Sequence, residues 1–510
     1  MLRLAALLLA AGLSACTTLP PLTDRTASTA LTDTAATKLG RAVASGAAAH
    51  PGKSGIYPLR DARDAFAARV VLARAAERSL DVQYYIWHND LSGTMLFAEL
   101  REAANRGVRV RLLLDDNNTS GLDPALAALD AHPNIEVRLF NPFMTRAPRM
   151  LGYLTDFSRL NRRMHNKSFT ADNQATIVGG RNIGDEYFGA TDGVGFVDLD
   201  VIAAGPVVPE VSRQFDLYWA SDSSYPLDRV VQRADADTIS AFDAAVAALA
   251  ANPAAERYAE AVRQSPFARM LEQDQVVLQW ATTHLVSDDP GKGLDKASAQ
   301  TLLTSQLRVI LGEPTKEVAL VSPYFVPGQL GVDAFTRFAQ RGVKVRILTN
   351  SLEANDVTPV HSGYAKWRKP LLEAGVQLFE LRRVSGAVEK GSGGALGGSS
   401  GASLHAKTFA VDGARAFVGS FNFDPRSKLL NTELGMVIDS PELARDLDVA
   451  FDERIPAVAY EVKLSADGEE LIWVERGAGE VKQYTTEPNT GVLKRAWVNV
   501  LSLFPIDWLL

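Results

Sequence analysis

The chain of 510 residues carries the pattern His-x-Lys-x-x-x-x-Asp twice, as His165, Lys167 and Asp172 and as His405, Lys407 and Asp412. Each copy is followed at the same spacing by a Gly-rich tetrapeptide ending in Asn: Gly179-Gly180-Arg181-Asn182 and Gly419-Ser420-Phe421-Asn422. A pattern repeated with its trailing element marks an internal duplication, and that restricts the fold to two like halves. The repeat extends beyond the motifs. Arg106-Gly107-Val108-Arg109-Val110-Arg111-Leu112 returns as Arg341-Gly342-Val343-Lys344-Val345-Arg346-Ile347, each reading as a helix end with a Gly stop followed by an alternating strand. Tyr84-Tyr85-Ile86 and Tyr324-Phe325-Val326 occupy corresponding strand ends. The fold class is therefore α/β, each half built of βαβ units feeding a mixed sheet flanked by helices.

Within a strand, residues two apart share a face, so His165 lies with Lys167 and His405 with Lys407. Lys-Ser-Phe-Thr-Ala-Asp and Lys-Thr-Phe-Ala-Val-Asp alternate polar with apolar, and Asp172-Asn173 and Asp412-Gly413 suit hairpin turns. Asp172 and Asp412 belong to the motif but sit at the turn, which gives them a structural role. The following glycines allow close backbone approach, and the Asn supplies an amide donor. An imidazole to attack, lysines to neutralise oxygens and a second imidazole for acid–base work suit a phosphate diester. The imidazole pKa of about 6.5 lies close to working pH.

Both copies match the signature of the phospholipase D superfamily, and the chain resembles it from about Gly55 to its end. Leu80–Trp87, Arg106–Asp115, Arg162–Lys167, Gly363-Tyr364-Ala365, Phe423–Ser427 and Asp507–Leu510 are similar to bacterial cardiolipin synthases, the later stretches to the class C type. The resemblance implies two mixed sheets related by a pseudo-twofold axis and one site built from both halves. It implies a phosphohistidine on one His, with the other donating and accepting the proton. His165 is favoured as the nucleophile. Lys167, Lys407, Asn182 and Asn422 would hold the non-bridging oxygens, so no metal and no other cofactor is expected. Glu433 and Asp198 occupy the positions of the carboxylates that orient the histidines, Glu433 on His165 and Asp198 on His405, with Asp200 the alternative to Asp198. The implied reaction is phosphatidyl transfer to phosphatidylglycerol, giving cardiolipin, with phosphatidylethanolamine as a donor. Hydrolysis to phosphatidic acid is the alternative, and a nuclease comes third.

The net charge of −7 argues against a nucleic-acid partner, which would ordinarily meet a basic face. Arg146, Arg149, Arg159, Arg162 and Arg163 precede the first motif and read either as a cationic patch for anionic headgroups or as a solvated face. The other five histidines have no paired lysine and read as packing or surface residues, with His361 alone a candidate for substrate contact. The single cysteine, Cys16, closes Leu13-Ser14-Ala15-Cys16 after a short positive start and an apolar run too short to span a bilayer. This resembles a lipoprotein signal, residues 1–15, with Cys16 lipidated; Thr17 in the next position favours the outer over the inner membrane.

The remaining boundaries follow from composition. Residues 16–53, rich in Ala, Thr and Ser, read as a flexible tether. The halves span 54–222 and 264–460, joined by an Ala-rich helical connection at 223–263. Residues 384–403 are Gly/Ser-rich and read as a mobile loop or a tolerated insertion. The extension 461–510 ends in an amphipathic stretch that reads as a membrane-interfacial or core-packing helix.

Overall fold

The computed structural model describes residues 19–191, 195–273, 275–355, 357–383, 402–477 and 480–504. The strands of the first half are β1 (Ser54–Leu59), β2 (Ser79–Ile86), β3 (Arg109–Asn118), β4 (Ile135–Phe140), β5 (Ser168–Ala171), β6 (Ala175–Gly179), β7 (Gly195–Val197), β8 (Asp200–Ala204), β9 (Ser224–Pro226) and β10 (Gln279–Ala281). Those of the second are β11 (Thr283–Ser287), β12 (Glu317–Val321), β13 (Lys344–Asn350), β14 (Gln377–Leu381), β15 (Ala402–Leu404), β16 (Thr408–Val411), β17 (Arg415–Gly419), β18 (Leu434–Ile438), β19 (Ala459–Leu464), β20 (Leu471–Arg476) and β21 (Val481–Tyr484). One sheet runs β10-β1-β8-β6-β5-β2-β3-β4-β9 and the other β11-β18-β17-β16-β12-β13-β14-β19-β20-β21. The order β8-β6-β5-β2-β3-β4 thus recurs as β18-β17-β16-β12-β13-β14, the duplication expressed as topology. In each half the three βαβ strands are parallel and the motif hairpin adds to them antiparallel.

The motif hairpins form because their turns tolerate left-handed backbone. Asp172 and Asn173 have φ of 52° and 53°, and Asp412 and Gly413 of 56° and 61°, residue types that accept this region at small cost. The ladders begin only at Ser168 and Thr408; His165–Lys167 and His405–Lys407 run just outside them, leaving their backbone free to bond elsewhere. The two sheets pack through one apolar cluster to which Val178, Val201 and Val211 contribute from the first half and Val418, Leu434 and Met436 from the second. That shared core fixes the halves in the relation the site requires.

Three domain readings change. Residues 16–53 are not a free tether where described. The Arg25 guanidinium donates to the carbonyls of Ser221 (2.6 Å) and Ser224 (2.9 Å), and Ala30 N–H to the Asp216 carboxylate. Thr37 then caps the helix Lys38–Ala49, after which His50 stacks on Trp280 at 5.0 Å. Small residues here serve close packing: a Cβ on Gly46 would meet the Trp280 ring at 2.4 Å. The connection 223–263 opens with β9 in the first sheet before its helices Ala236–Ala250 and Pro253–Arg263, and β10 returns to that sheet from beyond residue 263. The extension 461–510 supplies β20 and β21 to the second sheet and ends, within the described residues, in the helix Val492–Ser502. Cys16 and most of 384–403 lie outside the described residues. No helix among the described residues is long and apolar enough to cross a membrane.

Candidate active site

The two histidines are held at the seam between halves by matching backbone bonds. His165 N–H donates to Thr432 O (2.9 Å), and His405 N–H donates to Val197 O (2.8 Å). Thr432 and Val197 each precede an acidic residue, and this places Glu433 and Asp198 beside the histidine of the opposite half. Glu433 Oε2 is 2.8 Å from His165 Nδ1, and Asp198 Oδ2 is 2.6 Å from His405 Nδ1. Both contacts use Nδ1, so Nε2 is the nitrogen each imidazole offers to a ligand. Asp200 instead pairs with Arg69 at 2.8 Å, fully buried, and takes no part in orienting His405.

The end of the central parallel strand steadies each histidine from its own half. Asp115, in the C-terminal part of β3, accepts from Met164 N–H (2.8 Å) and pairs with Arg163. Asn350, at the end of β13, bonds both the N–H and the carbonyl of Leu404 (2.9 and 3.0 Å). Asp115 and Asn350 are the same position in the duplicated strand, and sequence reasoning did not single them out. Their signal was available: a polar residue ending an apolar strand at the same repeat offset.

Lys167 Nζ donates to His165 O at 2.6 Å, and Lys407 Nζ to His405 O at 2.5 Å. Both amines are thus folded back against their own histidine segment, and burial holds Lys167 well below its ordinary pKa. Tyr85 sets its ring edge-on to His165 at 4.9 Å, and Tyr187 does the same for His405 at 5.1 Å. Asn182 accepts from Ile86 N–H (3.2 Å) and donates to Tyr187 OH (3.0 Å), so its amide braces the aromatic wall of His405. Asn422 is 5% exposed, and its Oδ1 has no partner among the described residues.

The tetrapeptide glycines and Ser420 have distinct duties. A Cβ on Gly180 would lie 2.2 Å from Asp198 Oδ1, so the carboxylate can reach His405 only past a glycine. In the second copy Ser420 takes that place and its hydroxyl donates to Glu433 Oε2 at 2.5 Å. Asp172 and Asp412 lie away from the histidines. Asp172, fully buried, accepts from the N–H groups of Glu77, Arg78 and Ser79; Asp412 does the same for Thr315, Lys316 and Glu317.

The electrostatics of the two dyads differ. Burial, reinforced by Lys167 and Lys407, holds His165 well below its ordinary pKa. Burial and Lys407 bring His405 down to about 4, so the surrounding protein alone leaves both imidazoles neutral near pH 7. Burial pushes Glu433 up to about 7 against the pull of Lys167. Burial also opposes ionisation of Asp198, but His405 and Lys407 overcome it and hold Asp198 at about 2. One dyad therefore owns a permanent carboxylate and the other a carboxyl that titrates near neutrality.

The arginine patch is a network of ion pairs. Arg146 pairs with Asp116 and Asp123, Arg149 with Asp123, Arg159 with Asp156, Arg162 with Asp295, and Arg163 is buried on Asp115. Pairing absorbs their charge, which removes the reading of a free cationic surface. His361 is buried, and its Nε2 bonds Glu487 and Arg368, tying the C-terminal segment down. His88, Asp90 and Glu186 converge at one point, but Asp90 already caps the helix Leu91–Asn105 and accepts from Asp185 N–H.

Residues 71–219 and 307–455 each match the family model described as cardiolipin synthase, PLD-like domain. The chain is 50% identical over 461 residues to cardiolipin synthase C of Escherichia coli, covering 90% of this chain and 97% of that one. It is 31% identical to an uncharacterized protein of Helicobacter pylori, covering 89% of each. The phosphatidylserine synthase of Haemophilus influenzae shares the fold, with a TM-score of 0.56 at 13% identity over 89% of this chain and 95% of that one. This chain belongs to the cardiolipin synthase family of phospholipase D-like proteins.

Proposed function

We propose that the chain is a phosphatidyl transferase that makes cardiolipin, carried above all by the two crossed histidine–carboxylate dyads in a chain half identical to a cardiolipin synthase. His165 Nε2 attacks the phosphorus of a donor phospholipid; its Nδ1–H is held by Glu433. The P–O bond to the departing alcohol breaks, and His405, which takes up a proton once the anionic phosphodiester lies beside it, gives that proton to the departing oxygen. The permanent Asp198 carboxylate favours the imidazolium that this step needs, which supports His405 as the acid and His165 as the nucleophile. Lys167, Lys407 and Asn422 balance the charge on the non-bridging oxygens, with Asn182 positioning Tyr187. In the second step a glycerol hydroxyl of phosphatidylglycerol passes its proton to His405 and attacks phosphorus, and His165 leaves. Phosphatidylethanolamine or a second phosphatidylglycerol serves as donor.

The substrates lie in a membrane, and the N-terminal signal supports attachment through a lipidated Cys16, periplasm-facing, with the outer membrane favoured by Thr17. Cys16→Ala removes the lipid and releases the protein from the membrane fraction while leaving it folded; unchanged N-terminal mass and fractionation contradict the anchor. The activity is tested with purified protein and labelled lipids. Cardiolipin that depends on phosphatidylglycerol supports transfer. Phosphatidic acid as sole product, unchanged by added phosphatidylglycerol, replaces it with hydrolysis, and no lipid product from any donor pair rejects both.

A further inference from the structure

The site opens at the C-terminal ends of the parallel strands, where Tyr85 of β2 meets His165 and Asn350 of β13 meets Leu404. The same edge carries two helices with outward apolar faces. Gly152–Leu160 is fixed there by Tyr153 OH on Asn117 of β3 (2.9 Å) and leaves Leu154 81% exposed, next to Met150 at 79%. Val492–Ser502 is fixed by Lys494 Nζ on Leu352 O (2.7 Å), just past β13; it buries Val498 and leaves Leu493 86% and Trp497 56% exposed. Leu429, whose carbonyl accepts from Arg162, and Leu330, shortly after the end of β12, are exposed at the same edge. With Leu151, Leu503 and Phe504, which adjoin the two helices, these segments hold twelve of the nineteen exposed large apolar side chains among the described residues.

From this placement we infer that the rim around the opening is the surface by which the enzyme sits on a phospholipid bilayer, the site facing the lipid headgroups. The inference rests on the reading of the substrate as a membrane phosphodiester. Three observations select a bilayer as the occupant. His165 and His405 are only 6% and 8% exposed, so a substrate phosphate must enter through the rim while its acyl chains stay in an apolar medium. The helix Val492–Ser502 carries no acidic residue, and Lys428 stands exposed beside Leu429, which suits anionic headgroups; Lys494 and Arg495 turn instead to the carbonyls of Leu352 and Thr490. The sequence after that helix, Leu503-Phe504-Pro505-Ile506-Asp507-Trp508-Leu509-Leu510, is again mostly apolar. Aromatic and aliphatic side chains interleaved with cations are the composition of an interfacial helix.

The test uses the full chain with Cys16→Ala, so that no lipid anchor contributes, and vesicles of phosphatidylglycerol and phosphatidylethanolamine. Brominated acyl chains should quench its tryptophan fluorescence, and Trp497→Phe should remove a distinct part of that quenching. Leu154→Asp combined with Leu493→Asp should weaken vesicle co-sedimentation about tenfold or more, since two apolar side chains no longer leave water. Turnover of dihexanoyl phosphatidylglycerol, dispersed as single molecules, should stay close to that of the parent. Unchanged co-sedimentation overturns the inference. So does a dimer of the parent that the same substitutions dissociate, since the rim would then cover a second copy. If Trp497 is quenched but no lipid is turned over, the docking surface stands and the proposed activity fails.

Discussion

Replacing Glu433 by Gln separates what this carboxyl does for catalysis from what it does to stability. Glu433 is fully buried, 2.8 Å from His165 Nδ1, with its second oxygen unpartnered among the described residues. Its pKa rises from 4.5 to about 7 because burial disfavours the charge. The folded state therefore binds this proton more tightly than the unfolded chain does. The stability it lends is complete below pH 4.5 and is lost as pH rises through about 7, a loss of about 3 kcal/mol at roughly 1.4 kcal/mol per pH unit. Gln never ionises, so denaturation midpoints from pH 4.5 to 8 should fall for the parent and stay level for the variant. Activity moves the other way. A hydrogen bond to a charged group contributes about 1.5–3 kcal/mol, so turnover should drop about 10- to 150-fold. The parent should also gain kcat/KM as pH rises through about 7, because protonated Glu433 donates to Nδ1 and leaves the proton on Nε2, the attacking nitrogen; the variant should lack that limb. Parallel stability curves for the two proteins would refute the reasoning.

Asp198→Asn reverses the sign: the folded pKa of about 2 lies below 3.8, so its stability is present above pH 3.8 and lost as pH falls through 2. That variant should be about 2 kcal/mol less stable at pH 7 by denaturant titration. Gly180→Ala should abolish most turnover while circular dichroism stays native, because a Cβ at 2.2 Å displaces Asp198; retained turnover contradicts the close approach. Asp172→Ala should lower the melting temperature more than Asp412→Ala, since Asp172 is fully buried and Asp412 is partly exposed. The loss for Asp172 should be about 2–3 kcal/mol, from three backbone donors left without a partner.

The duplicated motif carried the fold class because its spacing is local: hairpin, turn and glycine lie within about twenty residues of each histidine. The residues beside each histidine were a different matter. Glu433 and Asp198 were reached only through resemblance, since they lie 268 and 207 positions from the imidazoles they touch. Tyr187 gave no signal, and Asp115 and Asn350 were marked only as polar residues closing an apolar run at the same repeat offset. The strap at 25–53 misled because Ala and Thr were read as disorder. Its order comes from carbonyls of the residue 220–224 loop and the Asp216 carboxylate, partners nearly two hundred residues away. The arginines before His165 misled because charge was counted without the aspartates at 115, 116, 123 and 156, which follow no spacing rule.

The central claim, one site in which His165 attacks and His405 carries the proton, is tested most directly by locating the covalent intermediate. The His405→Ala protein is offered a phosphatidyl ester of p-nitrophenol, whose departure needs little protonation, then quenched and digested for mass spectrometry. The account predicts a phosphatidyl group on the peptide containing His165, persisting because no base remains to activate the acceptor, and none in His165→Ala. A group found on His405 in the His165→Ala protein, with none in His405→Ala, would contradict the assignment.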